Sequence, residues 1–399
     1  MTVTIKPSRA VGTMKAPPSK SQAHRLLISG ALCKEPASVS GVAFSKDIEA
    51  TLLGLRALGA EIKVSGDTVT LKKGARPKTV RFDCMESGST LRFLLPMCLT
   101  EPGDAYLYAA KRLLERPQKI YEDLCKAQNI TYEATKECIH LCGALKSGDY
   151  EIPGNVSSQF VSGLLFTLPQ LSGDSTITLT TPLSSRPYVD MTLAALKSFG
   201  AEIFSKNDRQ FSVKGNTEFK AASCIVEGDY SNAAFFDAFN TVGGNVTVTG
   251  LSKDTLQGDA VYKALFSKLA EKNATVPIDD CPDLGPILIA VMAANHGGTL
   301  TGTRRLKIKE SDRGAAMAEE LKKFGVEITV SEDTIFVPKG RLKAPTEKLS
   351  GHNDHRMVMA LSFLLSRVGG TIEGAEAVAK SLPDYFKRIT DLGIEVEEL

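Results

Sequence analysis

Lys20 and Arg25 flank Ser21, and Arg92 closely follows Gly88-Ser89-Thr90. Arg313 comes directly after Lys309-Glu310-Ser311-Asp312, and His355-Arg356 follow Asn353-Asp354. Each set stands at the start of a stretch whose apolar residues recur at helical spacing. A helix N-terminus already carries unpaired N–H groups and partial positive charge, so a cation in its first turn is mildly repelled. Repeated placement there makes sense if the helix starts receive anions, because N–H groups and cations then act in the same direction. Ser157-Ser158-Gln159 opens a further such stretch with hydroxyl and amide donors in place of a cation. Arginine adds two-pronged recognition of phosphate or carboxylate. Convergence of these starts would suit a multiply anionic ligand bearing both groups.

Other chemistries find little support. Pro18-Ser19-Lys20-Ser21 ends like a nucleotide-binding loop but lacks the glycines that loop needs, and no Gly-x-Gly-x-x-Gly turn or Gly-x-Ser-x-Gly elbow is present. Gly351-His352-Asn353-Asp354-His355 looks like a metal cluster but has no partners at ligand spacing. Cys138 and Cys142 around His140 lack a second pair, and the cysteines read as free thiols in a reducing compartment.

The elements that carry these residues emerge when the chain is compared with itself. Leu58-Gly59-Ala60-Glu61-Ile62 recurs as Phe199-Gly200-Ala201-Glu202-Ile203, as Phe324-Gly325-Val326-Glu327-Ile328 and as Leu392-Gly393-Ile394-Glu395-Val396. Each copy closes an amphipathic stretch, stops it with glycine and begins a short alternating strand. Extended backwards, the unit comprises an apolar helix, a glycine-rich turn, a strand, the amphipathic helix and a hairpin. Six such units begin near Ser21, Ser89, Ser158, Ser231, Asp283 and Asp354, the second and fourth weakly patterned in their later halves. The reading is α/β. Six units of this size suit two domains of three, divided near Val226–Gly228, with a cleft between them.

The composition agrees with an ordinary globular chain. Of 399 residues, 43% are apolar and 24% charged, and 48 Lys+Arg against 46 Asp+Glu leave a net charge of +2. Nothing global points to nucleic acid or an anionic membrane, so charge must act locally. Apolar runs such as Leu91–Leu99 are about half the ~20 residues a membrane span needs, and Met1–Lys15 lacks a signal-peptide core. We expect a cytoplasmic protein.

Several segments together resemble the 3-phosphoshikimate 1-carboxyvinyltransferase family of enolpyruvyl transferases. They are Lys20-Ser21 with Arg25, Glu86-Ser87-Gly88-Ser89-Thr90-Leu91-Arg92, Glu115-Arg116-Pro117, Val156-Ser157-Ser158-Gln159-Phe160, Lys309-Glu310-Ser311-Asp312-Arg313, Asn353-Asp354-His355-Arg356-Met357 and Ala379-Lys380-Ser381-Leu382-Pro383-Asp384-Tyr385-Phe386, in family order. The resemblance implies two similar domains, each of three βαβαββ repeats, with the active site in the interdomain cleft. Residues 14–226 would form the first domain, and 1–13 with 227–399 the second, the N-terminal strand Val3–Lys6 pairing into the latter. It implies transfer of the enolpyruvyl group of phosphoenolpyruvate to the 5-hydroxyl of shikimate 3-phosphate, with release of phosphate, in aromatic amino acid biosynthesis. No metal or organic cofactor is implied, and a monomer with small-molecule partners only is expected.

By the same resemblance Lys20, Ser21, Arg25, Ser157, Ser158, Gln159 and Ser185 hold shikimate 3-phosphate, together with Asp283 and Lys309. Lys20, Gly88, Arg92, Arg116, Gln159, Arg313, Arg356 and Lys380 surround phosphoenolpyruvate. Asp283 is implied as the acceptor of the hydroxyl proton and Glu310 as a proton donor, with Lys309 beside the same hydroxyl. That pairing suits an addition–elimination, which needs an acid and a base at one carbon and firm orientation of two anions. Three positions depart from the family pattern: Glu86 where many members carry Asn, Phe93 where Pro is common, and Arg305 where some place a substrate-binding Asn. The related transferase acting on UDP-N-acetylglucosamine is the nearest alternative, but its loop cysteine has no counterpart in Lys111–Arg116. A non-catalytic anion binder on the same scaffold would not need Asp283, Lys309 and Glu310 together.

Overall fold

The computed structural model describes residues 1–399, a mixed α/β chain in which βα units recur. Its chain forms two compact units, Pro18–Glu227 and Met1–Pro17 joined with Gly228–Leu399.

In Pro18–Glu227 three four-stranded sheets share one order, a parallel pair followed by an antiparallel hairpin. Ser223–Ile225 lies parallel to Ala37–Ser40, which is followed by Thr68–Lys72 and Glu61–Ser65, both antiparallel to their neighbours. Thr79–Asp83 with Asp104–Tyr108 and Asp149–Ile152 with Ser175–Leu179 begin the other two sheets. Strands such as Thr79–Asp83 alternate exposed and buried residues, as expected for a sheet packed on one face. Helices Lys20–Gly30, Gly88–Met97 and Ser158–Thr167 are the apolar ones, and from Thr90 to Met97 every residue is buried. A helix without a polar face belongs inside, so its ends, not its flanks, are left to meet a ligand.

In four of the six units a glycine in the left-handed region ends the amphipathic helix: φ is 98° at Gly59, 82° at Gly200, 80° at Gly325 and 91° at Gly393. The second unit uses Asn129 there instead, at φ 56°, and Ile130 N–H then bonds Cys125 O at 2.8 Å much as Ala60 N–H bonds Leu55 O at 2.9 Å. Asparagine tolerates this backbone, so the hairpin Thr131–Ala134 and Cys138–Cys142 is complete although its motif is absent from the sequence.

The unit formed by Met1–Pro17 and Gly228–Leu399 repeats the order with gaps. Ala274–Pro277, Gly298–Thr301, Thr334–Val337 and Thr329–Val330 make a complete sheet. In the last copy the hairpin's inner strand is supplied by Thr2–Ile5, antiparallel to both Gly370–Glu373 and Val396–Glu398. Val11–Lys15, a strand the sequence pattern did not reveal, runs parallel to Asn245–Thr249 as its only sheet partner. Tyr230–Asp237, Gly285–Ala294 and His355–Val368 are the buried helices of this unit. No helix is long and apolar enough to cross a membrane, and no cysteine pair forms a disulfide.

Candidate active site

In Pro18–Glu227 the expected phosphate-binding residues gather at helix starts. Ser87 caps Gly88–Met97, its hydroxyl accepting from Thr90 N–H at 3.2 Å. One turn in, Arg92 is 3% exposed; Nη1 donates to Gln159 Oε1 at 2.8 Å, Nη2 donates to Pro117 O at 3.2 Å, and the guanidinium lies 5.0 Å from the Phe160 ring centre. Gln159 in turn donates to Ser89 Oγ at 3.1 Å. A methyl group at Gly88 would stand 2.9 Å from Arg116 Nη1, 3.6 Å from Gln159 Oε1 and 3.8 Å from Arg92 Nη1. Arg92, Arg116 and Gln159 therefore gather around Gly88, where a larger residue would crowd the Arg116 guanidinium. Tyr121 O–H donates to Arg92 O at 2.6 Å, fixing the helix from behind.

A second group forms around helix Lys20–Gly30, where Ser19 is the cap. Lys20 pairs with Asp47 at 2.6 Å. Arg25 is 2% exposed; Nε donates to Tyr188 O at 3.1 Å and Thr192 Oγ1 at 2.8 Å, and Nη1 donates to Ser21 O at 2.6 Å. Its guanidinium stacks at 5.1 Å on Phe93 and 5.8 Å on Tyr188. Phe93, a departure from the family pattern, thus supplies a ring face for a buried cation. Burial without a carboxylate partner lowers the Arg25 pKa to about 10. Ser185, 1% exposed, precedes helix Arg186–Ser198 in left-handed backbone at φ 57°, a conformation that serine adopts only under local constraint. Ser157 caps Ser158–Thr167 by accepting from Gln159 N–H at 3.3 Å, and Ser158 is buried beside it.

In the other unit the site is an ionic network. Asp283 stands in the turn Pro282–Leu284 before helix Gly285–Ala294. Its Oδ1 accepts from Lys309 Nζ at 3.1 Å and Arg313 Nη1 at 3.0 Å, and its Oδ2 from Arg356 Nη2 at 3.1 Å. Burial by itself would raise the Asp283 pKa, but Arg356, Lys309 and Arg313 outweigh it and hold the carboxyl well below its ordinary value. Burial lowers the Lys309 pKa, with Asp283 opposing. Arg313, 1% exposed, also bonds Asp354 Oδ2 at 2.8 Å and Glu310 Oε2 at 2.8 Å, so burial is overcome and its pKa is raised. Lys380, 6% exposed, donates to Asn353 O. Arg305, the third departure, donates to Asp279 O.

Sequence reasoning missed two carboxylates of these groups. Asp354 is wholly buried; it caps helix His355–Val368 by accepting from Arg356 N–H at 2.9 Å, and it also receives Ser311 Oγ at 3.0 Å. An Asp immediately before an apolar helix next to an arginine was the available signal. Asp47, in the first turn of Lys46–Ala57, had none.

In one unit Gly88, Arg92, Arg116 and Gln159 gather cationic and amide groups suited to an oxyanion, and in the other Asp283 is held ionised beside a lysine and two arginines. Residues 5–389 match the family model described as EPSP synthase (3-phosphoshikimate 1-carboxyvinyltransferase). The chain is 39% identical to the 3-phosphoshikimate 1-carboxyvinyltransferase of Clostridium acetobutylicum and 38% identical to that of Clostridium kluyveri, covering 99% of this chain and 98% of each relative. An EPSP synthase structure from Acinetobacter baumannii superposes with a TM-score of 0.81 at 22% identity over 100% of both chains. The enolpyruvyl transferase NikO from Streptomyces tendae gives 0.79 at 15% identity over 99% of this chain and 98% of that one. At such identities these two likenesses speak to the fold.

Proposed function

The chain belongs to the EPSP synthase (3-phosphoshikimate 1-carboxyvinyltransferase) family, and from that premise we propose how its residues carry out enolpyruvyl transfer from phosphoenolpyruvate to the 5-hydroxyl of shikimate 3-phosphate. The observation that carries this reading is the match over residues 5–389.

In this reading Lys20, Ser21, Arg25, Ser157, Ser158, Gln159 and Ser185 orient shikimate 3-phosphate. Gly88, Arg92, Arg116 and Gln159, with Lys20, receive phosphoenolpyruvate in Pro18–Glu227; Arg313, Arg356 and Lys380 do so in the other unit. Asp283, kept ionised by its cations, accepts the proton of the 5-hydroxyl as that oxygen attacks C2. Glu310 delivers a proton to C3, with Lys309 bonded to Asp283 and beside the same hydroxyl. The adduct is a tetrahedral ketal phosphate. Return of a C3 proton to the Glu310 carboxylate and departure of phosphate from C2, which takes up the proton held by Asp283, complete the exchange, and cations around the leaving phosphate stabilise its charge. Orientation of two mutually repelling anions is the larger task, and it explains why more residues bind than react.

We place the protein in the cytoplasm as a monomer. The test of the reaction is phosphate release from phosphoenolpyruvate, measured with shikimate 3-phosphate and separately with UDP-N-acetylglucosamine. Release with shikimate 3-phosphate alone is the expected result. Release with the sugar nucleotide alone would overturn the substrate, and none with either would overturn the activity.

A further inference from the structure

Glu320 is wholly buried although it carries a carboxylate, and the reaction above does not use it. It lies on helix Arg313–Lys323, two turns after Arg313 and on the same face, roughly 10 Å along the axis. Its Oε1 bonds His352 Nε2 at 2.9 Å, and its Oε2 accepts Ser350 N–H at 3.1 Å. Lys323 Nζ lies 3.1 and 3.0 Å from the two oxygens and also donates to Lys348 O at 3.2 Å.

The segment so gripped is strained. His352 and Asn353 are consecutive non-glycine residues in the left-handed region, at φ 48° and 50°. Such backbone persists only when its surroundings hold it, and it concentrates at functional sites. What the strained pair delivers is the phosphoenolpyruvate side of this unit: Asn353 O receives Lys380, Asp354 receives Arg313, and helix His355–Val368 then carries Arg356 at its second position. One helix therefore holds residues 350–354 at two points. Arg313 grips Asp354 at its start, and Glu320 grips Ser350 and His352 two turns later.

We propose that Glu320 and His352 are positioning residues, a clamp that holds the left-handed turn His352–Asn353 so that Arg313, Arg356 and Lys380 meet the carboxylate or phosphate of phosphoenolpyruvate in register. Glu319, Glu320 and His352 also present ligand-type atoms within 4.8 Å of one another. The Lys323 ammonium against both Glu320 oxygens already meets the charge a metal ion would bring, which favours the clamp.

This inference rests on the function proposed above, and its test separates the two. Wild type, His352→Ala, His352→Gln and His352→Gly are compared in phosphate release and in amide hydrogen exchange over residues 350–356. In His352→Ala, which keeps the strain but loses the bond, KM for phosphoenolpyruvate should rise about tenfold, the scale of a charged hydrogen bond. KM for shikimate 3-phosphate should hold and kcat should change less. His352→Gln, which keeps a donor, should recover most of the loss. His352→Gly, free to adopt φ near 50° without strain, should lie between the two. Exchange across 350–356 should quicken in the order Gln, Gly, Ala. Equal rises in both KM values, or glycine no better than alanine, would overturn the clamp. Unchanged KM and exchange in every variant would overturn it too. Wild type without turnover would overturn the function instead, and exchange would still decide the clamp.

Discussion

Arg25 and Arg313 are both almost wholly buried, 2% and 1% exposed, yet their surroundings are opposite. Arg25 in Pro18–Glu227 meets a carbonyl, a hydroxyl, a further carbonyl and two ring faces, and burial lowers its pKa to about 10. Arg313 in the other unit meets Asp283, Glu310 and Asp354, and its pKa is raised. A buried cation held by neutral groups retains charge for a ligand. One held by carboxylates shares its charge with them, fixes them in place and keeps Asp283 and Asp354 ionised. The two kinds of burial suit different work: anion capture alone around Arg25, and anion capture joined to proton transfer around Asp283.

The sharpest way to break this contrast is to remove the group that the second network exists to hold. Asp283→Ala should lower kcat by about 10²–10⁴-fold, the usual contribution of a general base. Its affinity for shikimate 3-phosphate, followed by titration calorimetry, should fall far less. Full activity would dissolve the assignment of chemistry to this unit.

Next in size is Arg313→Met, which leaves Asp283, Glu310 and Asp354 without a shared partner. Thermal and denaturant unfolding should show a loss of about 3–5 kcal/mol, typical when one member of a buried ionic group is removed. Arg25→Met should change stability by no more than about 1–2 kcal/mol, because neutral hydrogen bonds are exchanged for relief of a desolvated charge. It should instead weaken shikimate 3-phosphate by about 10–100-fold, the scale of a charge-assisted bond. Equal destabilisation by both substitutions would erase the distinction.

The smallest effect is a pH dependence. His352 is held above its ordinary value chiefly by the bond to Glu320, with Glu319 adding and burial and Lys323 opposing. A raised pKa contributes stability that is full below about 6.5 and is lost as pH climbs through the higher folded value. The difference in unfolding free energy between wild type and His352→Gln should therefore shrink across that interval. Asp283 behaves oppositely: its carboxyl is depressed, so its contribution is full above the usual carboxylate range and fades only as pH falls below it. Wild-type stability should thus hold down to about pH 4 before this network begins to fail.

Much of the fold was legible because it is periodic. A glycine after an amphipathic stretch, then an alternating strand, is a local signal, and four copies carried it to the whole chain. The hairpin after Asn129 and the strand Val11–Lys15 escaped for physical reasons: Asn replaces Gly in the left-handed position, and a strand paired only with Asn245–Thr249 carries little local pattern. At the site, the cations at helix starts were legible because they oppose the helix dipole. Asp354 hid behind its capping role, and Asp47 and Glu320 behind ordinary helix composition.

The sequence by itself determined the α/β class, the repeat, and which helix starts carry charge, because these depend on residue type at short spacing. Only the tertiary structure decided which charges are shared with carboxylates. Whether an arginine meets Tyr188 O or Asp354 Oδ2 depends on groups brought from distant parts of the chain. The energy of a buried charge depends on those groups and on the water they displace, not on its neighbours in sequence.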